Sequence, residues 1–139
     1  MRLTQSAMTA LIEEHVTQEA AGNAEGAVAV YTDDVEHDVV GSPMGALVGP
    51  AAARTFYEHL IADLKIERME QVREWFGENF AVMEHHVDGN VIGSFMGIEG
   101  RGKPVHFRML HVWDFRDGKI SRENVWLDTG DIAAQLTTP

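Results

Sequence analysis

A long run of alternating apolar and polar side chains, from Val105 to Phe115, is the feature that most constrains the fold. A period of two predicts a β-strand that buries one face. Asp117-Gly118 follows directly and predicts a tight turn into a final strand, Lys119 to Asp128. The carboxyl-terminal part of the chain is therefore expected to form an antiparallel sheet.

The preceding segments extend this sheet. Phe80 to Val87 and Val91 to Met96 predict two strands joined by a hairpin turn at Asp88-Gly89. Residues 65–76 fit a helical period as well as a strand, and we predict a strand. The short run Val35 to Val40 predicts another strand, in which Val35, His37 and Val39 oppose Glu36, Asp38 and Val40.

Three helices are predicted in the amino-terminal half. Apolar residues recur at steps of three and four from Thr4 to Ala21, and Asn23 can cap a second helix over Glu25 to Thr32. Gly49-Pro50 begins the third helix, whose predicted buried face is Phe56, Tyr57, Leu60, Ile61 and Leu64. The residues after Asp128 are predicted to be a short tail. This order predicts an α+β fold in one domain, residues 1–139.

Composition excludes several classes of function. With 22 acidic and 11 basic side chains, the net charge of -11 repels phosphate backbones and anionic lipid, so neither nucleic acid nor a membrane is an expected partner. The absence of cysteine excludes disulfides and thiolate chemistry. No apolar secretory segment or spanning run is recognisable, so we expect a cytoplasmic protein.

Two of the seven histidines lie on predicted buried faces. His111 shares a strand face with Phe107, Met109, Trp113 and Phe115, and His15 lies on the apolar stripe of the first helix. Each has the alternative interpretation of a core histidine satisfied by a backbone carbonyl.

Asp38 is the third candidate, since it precedes a loop of glycine and proline from Gly41 to Gly45. One carboxylate and two imidazoles form a usable acid/base set. No metal site is predicted, because the neighbours His85 and His86 must point to opposite faces of a strand.

Several segments point to a family. Gly22 to Asp34 and His37 to Ser42 resemble the amino-terminal half of ketosteroid isomerases, while Gly93 to Ile98 and His111 to Ile120 are similar to SnoaL-like polyketide cyclases. Both families belong to the nuclear transport factor 2-like superfamily. The resemblance implies a cone-shaped, curved antiparallel sheet with three helices packed on its concave side around a pocket.

The resemblance also implies roles for individual residues. Asp38 matches the general base of the isomerases, a worked example of pKa tuning. His15 and His111 stand where the isomerases place their oxyanion donors, and Tyr57 matches a tyrosine that supports one of them. The implied substrate-lining residues are Phe56, Phe107, Met109, Trp113 and Trp126.

The resulting expectation is an enzyme without cofactor that acts on a small, mostly apolar carbonyl compound. Isomerisation, cyclisation and dehydration all remain open, and the carboxylate with two histidines is similar to scytalone dehydratase. The resemblance also implies a homodimer formed through the outer face of the sheet.

A noncatalytic binding or association domain is the competing class. A hydrolase is less favoured, because Asn124-Val125-Trp126 departs from the pattern of limonene-epoxide hydrolases. An open apolar cavity on which Asp38, His15 and His111 converge would favour the enzyme, and sealed, separate histidines would favour the binding domain.

Overall fold

The computed structural model describes residues 2–139, and its helices begin where side chains cap them. α1 (Gln5–Ala20) follows Thr4, whose hydroxyl accepts a hydrogen bond from the backbone N–H of Ala7. α2 (Ala24–Val28) is capped in the same way by Asn23. It is shorter than predicted, because Tyr31 already belongs to the first strand.

The third predicted helix is confirmed as α3 (Pro50–Asp63), with proline in its first turn. The strands are β1 (Tyr31–Val39), β2 (Leu47–Val48), β3 (Leu64–Gly77), β4 (Phe80–Val91), β5 (Ser94–Phe95), β6 (Ile98–Glu99), β7 (Lys103–Arg116) and β8 (Lys119–Leu127). β3 therefore confirms the strand predicted over residues 65–76.

Six of these strands form one curved, open sheet in the order β2-β1-β8-β7-β4-β3. Neighbouring strands are antiparallel except for β1 and β8, which are parallel. Parallel pairing brings the first strand beside the last one. Residues from both ends of the chain thus meet in the middle of the sheet.

The hairpin turn predicted at Asp88-Gly89 is wrong. β4 continues through both residues, and Gly89 pairs with Ile66 on one side and Val105 on the other. The predicted strand over Val91–Met96 is also wrong, since only β5 forms there, in a small hairpin with β6. Asp-Gly at 88–89 is not a turn because its backbone groups are paired on both sides.

The carboxyl-terminal tail is not a tail but a fourth helix, α4 (Thr129–Thr137). Ile132 and Leu136, one turn apart, are buried against the sheet. The side-chain amide of Gln135 bonds both the backbone N–H and the carbonyl of His106 on β7. These contacts with β7 stabilise the last segment as a helix. The periodicity of its nine residues alone did not predict one.

Helices and sheet enclose two separate apolar clusters. The first lies under α1, α2 and α3 and includes Trp113 and Phe115; the second lies under α4 and includes Val87 and Phe107. Along β7, His111 therefore lies between a residue of the second cluster, Phe107, and a residue of the first, Trp113. On β4, His85 lies in the same way between Val87 of the second cluster and Met83 of the first. A band of buried imidazoles separates the two clusters.

The outer face of the sheet carries exposed apolar side chains: Val72, Trp75, Phe80 and Trp126. The homodimer implied by the sequence resemblance would use this face and stays a prediction. Within residues 2–139 no helix is both long enough and apolar enough to cross a membrane.

The pairing of Gly89 predicts an unusual sensitivity to a single methyl group. A Cβ at this position would lie 2.7 Å from the carbonyl oxygen of Lys65, so Gly89→Ala should lower the free energy of unfolding by about 1–3 kcal/mol. Gly130→Ala is the matched control, because nothing lies near its added methyl and the change should be neutral or stabilise by roughly 0.5 kcal/mol. Urea denaturation of both variants measures this, and equal stabilities would contradict the assigned pairing.

Candidate active site

A buried carboxylate, Glu123 on β8, is the centre of the candidate site. Its side chain is 1% exposed and lies on the concave face of the sheet. The hydroxyl of Tyr31 donates to Oε1 at 2.8 Å, Trp113 Nε1–H donates to the same oxygen at 3.0 Å, and the hydroxyl of Tyr57 donates to Oε2 at 3.0 Å. Three neutral donors from three elements therefore hold one buried charge.

A β-bulge turns Glu123 inward. Arg122 pairs with Asp114 and Ile120 pairs with Phe115, so Ser121 has no partner of its own on β7. The extra residue reverses the alternation along β8. Ile120 and Glu123 consequently both face the interior, although three positions separate them.

His15 reaches the carboxylate from α1. Its Nδ1–H donates to the carbonyl of Ala27 at 2.7 Å, while its Nε2 lies 3.3 Å from Glu123 Oε1 and 3.1 Å from the hydroxyl oxygen of Tyr57. Burial alone would lower the pKa of His15. The Glu123 charge and hydrogen bond, helped by Glu19, more than offset burial and raise that pKa from its ordinary 6.5 to about 9.

The pKa values of Glu123 and of the ionisable groups around it are shifted as well. Burial opposes the charged form of Glu123, but His15 and His37 outweigh burial and hold its pKa well below the usual range. Burial raises the pKa of Glu19 to about 7 despite the attraction of His15. Burial and the Glu123 charge also raise the pKa of both Tyr31 and Tyr57 well above 10, so the two phenols stay neutral donors.

His37 on β1 is a member of the site that the sequence analysis missed. Its Nε2 lies 3.0 Å from the hydroxyl oxygen of Tyr57 and 3.6 Å from Glu123 Oε2. Because the Tyr57 hydrogen is directed at Glu123, its oxygen accepts, and His37 donates from Nε2–H. The Nδ1 atom of His37 is buried and has no hydrogen-bond partner among residues 2–139.

His111 on β7 faces the same carboxylate oxygen. Its Nε2 lies 3.7 Å from Glu123 Oε2, and its ring stacks on Trp113 with centroids 4.6 Å apart. Burial lowers the pKa of His111 to about 3, against the pull of Glu123, so the imidazole is neutral. The nearby carboxylate favours the hydrogen on Nε2, which leaves Nδ1 as an acceptor without a partner among the described residues.

Two predicted site residues lie elsewhere. Asp38 follows His37 on β1, so its side chain points to the outer face, where Arg122 Nη2 lies 3.8 Å from its carboxylate. It does not converge with His15 and His111. Trp126 is 41% exposed on the same outer face, because the bulge before Glu123 also reverses the orientation of Trp126.

The remaining predicted residues lie inside. Tyr57 contacts His15, as the family resemblance implies, and Trp113 bonds Glu123 directly. Phe56 packs edge-on against His37 with ring centroids 4.8 Å apart. Phe107 belongs to the second apolar cluster, and half-buried Met109 pairs with His85 across β4 and β7. The catalytic roles of all these residues stay predictions.

The cluster is buried: His15, His37, His111 and Glu123 are each 7% exposed or less. Two clefts open at the surface, one between α4 and β7 near Lys103 and one along α1 near Gln5, and neither contains a residue of the cluster. Nor does any group of His, Asp or Glu within residues 2–139 have an arrangement able to hold a metal ion.

Comparison with known proteins identifies the fold. The model of the SnoaL-like domain family matches residues 12–123. A provisionally named polyketide cyclase from Xanthomonas campestris pv. campestris is 19% identical, with a TM-score of 0.83 over 96% of this chain and 98% of that one.

Two further structures share the fold. A provisionally named isomerase from Rhodopseudomonas palustris is 17% identical, with a TM-score of 0.79 over 96% of this chain and 97% of that one. An LEH-like epoxide hydrolase from M. tuberculosis is 14% identical, with a TM-score of 0.74 over 94% of this chain and 90% of that one. No curated protein matches the chain.

Glu123 is expected to dominate the stability of this region. Glu123→Gln removes the charge that compensates His15 and turns an acceptor of three hydrogen bonds into a mixed donor and acceptor, so it should cost about 3–5 kcal/mol of unfolding free energy. Glu99→Gln, at a side chain that is 75% exposed, should change it by less than about 0.5 kcal/mol. A loss from Glu123→Gln no larger than from Glu99→Gln in urea denaturation would contradict a buried anion.

His15 and His111 should titrate far apart. The side-chain ¹⁵N shifts of His15 are expected to show an imidazolium at pH 7.5 that deprotonates near pH 9, whereas His111 stays neutral down to about pH 3. Since the folded pKa of His15 exceeds its unfolded value, its contribution to stability is complete below pH 6.5 and is lost as pH rises through 9. A His15 transition below pH 7 would refute the ion pair.

Proposed function

Because this chain belongs to the SnoaL-like domain family, whose model matches residues 12–123, we propose that it is a cofactor-independent acid/base enzyme acting on a small carbonyl compound. Neighbours of the same fold carry the names polyketide cyclase and isomerase, which supports chemistry of this class. The reaction we infer begins with removal of a proton alpha to a carbonyl group.

One observation carries the proposal: His37 is a buried imidazole with an unpartnered Nδ1 and a hydrogen-bonded route from Nε2 to an anion. The route runs from His37 Nε2–H to the oxygen of Tyr57 and from the Tyr57 hydroxyl to Glu123. Such a chain orients the imidazole and stabilises the positive charge that appears when Nδ1 accepts a proton. His37 is therefore the proposed general base.

Each remaining residue has a separate proposed role. Glu123 is a positioning residue, because its low pKa and the three hydrogen bonds that it accepts make it a poor proton acceptor. His15 compensates the Glu123 charge from the far side. His111 presents its unprotonated Nδ1 to an oxygen-bound hydrogen of the substrate and so orients it. Asp38 has no role in this proposal, since it lies on the outer face.

The proposed step moves one proton and one electron pair. The C–H bond alpha to the carbonyl breaks, its electron pair enters the enolate, and the proton joins His37 Nδ1. Return of that proton to a different carbon of a conjugated enolate completes an isomerisation. Attack of the enolate carbon on a second carbonyl closes a ring, and the alkoxide so formed takes the proton from His37. Departure of a β-hydroxide, which takes the same proton, loses water. Burial of His37 and His111, which are 2% and 7% exposed, favours each outcome by excluding bulk water from the enolate.

A noncatalytic binding domain is the second candidate, and the burial of the cluster favours it. His15, His37 and His111 are all buried, and the two surface clefts lie elsewhere. In this interpretation the imidazole band would stabilise or recognise a ligand without exchanging protons. Proton exchange separates the two candidates.

The test uses exchange of hydrogen for deuterium, which requires no knowledge of the natural product. In D₂O, wild-type protein should accelerate loss of the methyl proton signal of acetophenones and the α-proton signals of cyclic ketones in NMR spectra. His37→Ala should lower that rate by about 10²–10⁴-fold, the usual contribution of a positioned base.

His86→Ala is the matched control, because His86 is one residue from His85, lies on the outer face and is 52% exposed. Its exchange rate should equal that of the wild type. Circular dichroism and urea denaturation establish that His37→Ala is folded at the assay temperature. Exchange by His37→Ala at the wild-type rate, or no exchange above buffer with any ketone, would refute the proposed function.

A further inference from the structure

The ion pair of Glu123 and His15 has a third member, Glu19 on α1, to which the proposed function gives no role. Glu19 lies one helical turn after His15, so the two side chains share a face of the helix. Its Oε2 atom lies 3.8 Å from Nε2 of His15, and the same nitrogen lies 3.3 Å from Glu123 Oε1. One imidazole nitrogen thus lies between two carboxylates.

The two carboxylates differ in their access to solvent. The side chain of Glu123 is 1% exposed, whereas that of Glu19 is 14% exposed. Within residues 2–139 these two are the ion-pair partners of His15, so Glu19 is the partner with access to water. A movement of about 1 Å in this flexible side chain brings its oxygen within hydrogen-bond distance of Nε2. Glu19 therefore connects the buried pair to the surface.

The ion pair does not need a second carboxylate for its stability. The charge of Glu123 already balances that of His15, and three neutral donors satisfy its oxygens. Burial is the main cause that raises the pKa of Glu19 to about 7; repulsion by Glu123 adds to it, and attraction by His15 and His37 opposes it. A glutamine would avoid this cost. A carboxyl group whose pKa is near neutral both takes up and releases protons readily.

The titratable groups that act on Glu19 all belong to the buried cluster. They are His15 on α1, His37 and Tyr31 on β1, Tyr57 on α3 and Glu123 on β8. The two phenols stay neutral, and within the part of the chain that the structure describes the ion-pair partner of Glu19 is His15. A change in the protonation of Glu19 therefore acts on the buried cluster and not on a surface ion pair.

We propose that Glu19 carries protons between solvent and Nε2 of His15, and so keeps the buried ion pair in equilibrium with the pH of the medium. In the outward step the N–H bond at Nε2 breaks, its electron pair stays on the nitrogen, and an O–H bond forms on the Glu19 carboxylate. Water then takes the proton from Glu19, and the inward step reverses both transfers. This inference goes beyond the proposed function and does not depend on it, since no substrate takes part.

Exchange of the His15 ring hydrogen with water tests the proposal in the ligand-free protein. Saturation-transfer NMR on protein labelled with ¹⁵N-histidine measures the exchange rate of the Nε2 hydrogen on both sides of neutral pH. In wild-type protein the rate should rise as Glu19 ionises near pH 7 and then level off. Glu19→Gln should lower the rate by about 10²-fold, within the usual contribution of a positioned proton-transfer group, and make it proportional to hydroxide concentration.

Glu13→Gln is the matched control, because Glu13 lies on the same helix and is exposed. Its exchange rate and pH profile at His15 should equal those of the wild type. The backbone amide exchange of His15, measured on the same samples, reports local opening of α1 and should be equal in all three proteins.

The wild-type rate and pH profile in Glu19→Gln would overturn the proposal. A slower rate that keeps the wild-type pH profile, or an equal loss in Glu13→Gln, would overturn it too, because altered opening of α1 is then a sufficient cause. Since no ketone is present, this measurement and the ketone exchange assay succeed or fail independently of each other.

Discussion

The ion pair between Glu123 and His15 is the interaction on which the rest of the site depends. A carboxylate that is 1% exposed is tolerable only when its lone pairs are satisfied and its charge is balanced. Tyr31, Tyr57 and Trp113 satisfy the lone pairs, and α1 brings the balancing imidazolium. The positions of α1, α3, β1 and β7 relative to β8 are thereby coupled to one charge.

The same arrangement separates two kinds of histidine. His15 lies close enough to the anion to be charged, whereas His111 lies a little farther away, is stacked on Trp113 and stays neutral. Among residues 2–139, three buried ring nitrogens, Nδ1 of His37, His85 and His111, have no hydrogen-bond partner. The carboxylate of Glu123 is therefore fully hydrogen-bonded, whereas these three imidazole nitrogens are not. We expect a ligand to bind at the nitrogens.

Much of the fold was predictable from local pattern. Alternation predicted β7, apolar residues at steps of three and four predicted α1, and Gly49-Pro50 predicted the start of α3. The resemblance supplied the arrangement of sheet and helices. Local pattern did not predict the elements that depend on contacts between residues far apart in the sequence. Asp88-Gly89 has the composition of a turn, yet β3 and β7 pair with it on both sides, and α4 is stabilised by Gln135 bonding to a strand far away in sequence.

The site was predictable only in part, because its residues depend on which face of a strand the odd and even positions occupy. His15, His111 and Tyr57 followed from their faces and from the resemblance. The alternation in β1 already placed His37 inward and Asp38 outward, so the choice of Asp38 conflicted with a signal present in the sequence. Glu123 had no such signal, because alternation counted from Ile120 assigns it to the outer face. Only pairing with β7 reveals the extra residue, Ser121.

That extra residue gives β8 two phases. Before Ser121 the strand presents its even positions to the interior, and after it the odd ones. A regular strand of the same length would therefore present Arg122, Asn124 and Trp126 to the concave face in place of Glu123 and Val125, without altering a single side chain, whereas loss of Ser121 would keep Glu123 inward. At the present strand length, the bulge at Ser121 decides whether this fold has a buried anion at all.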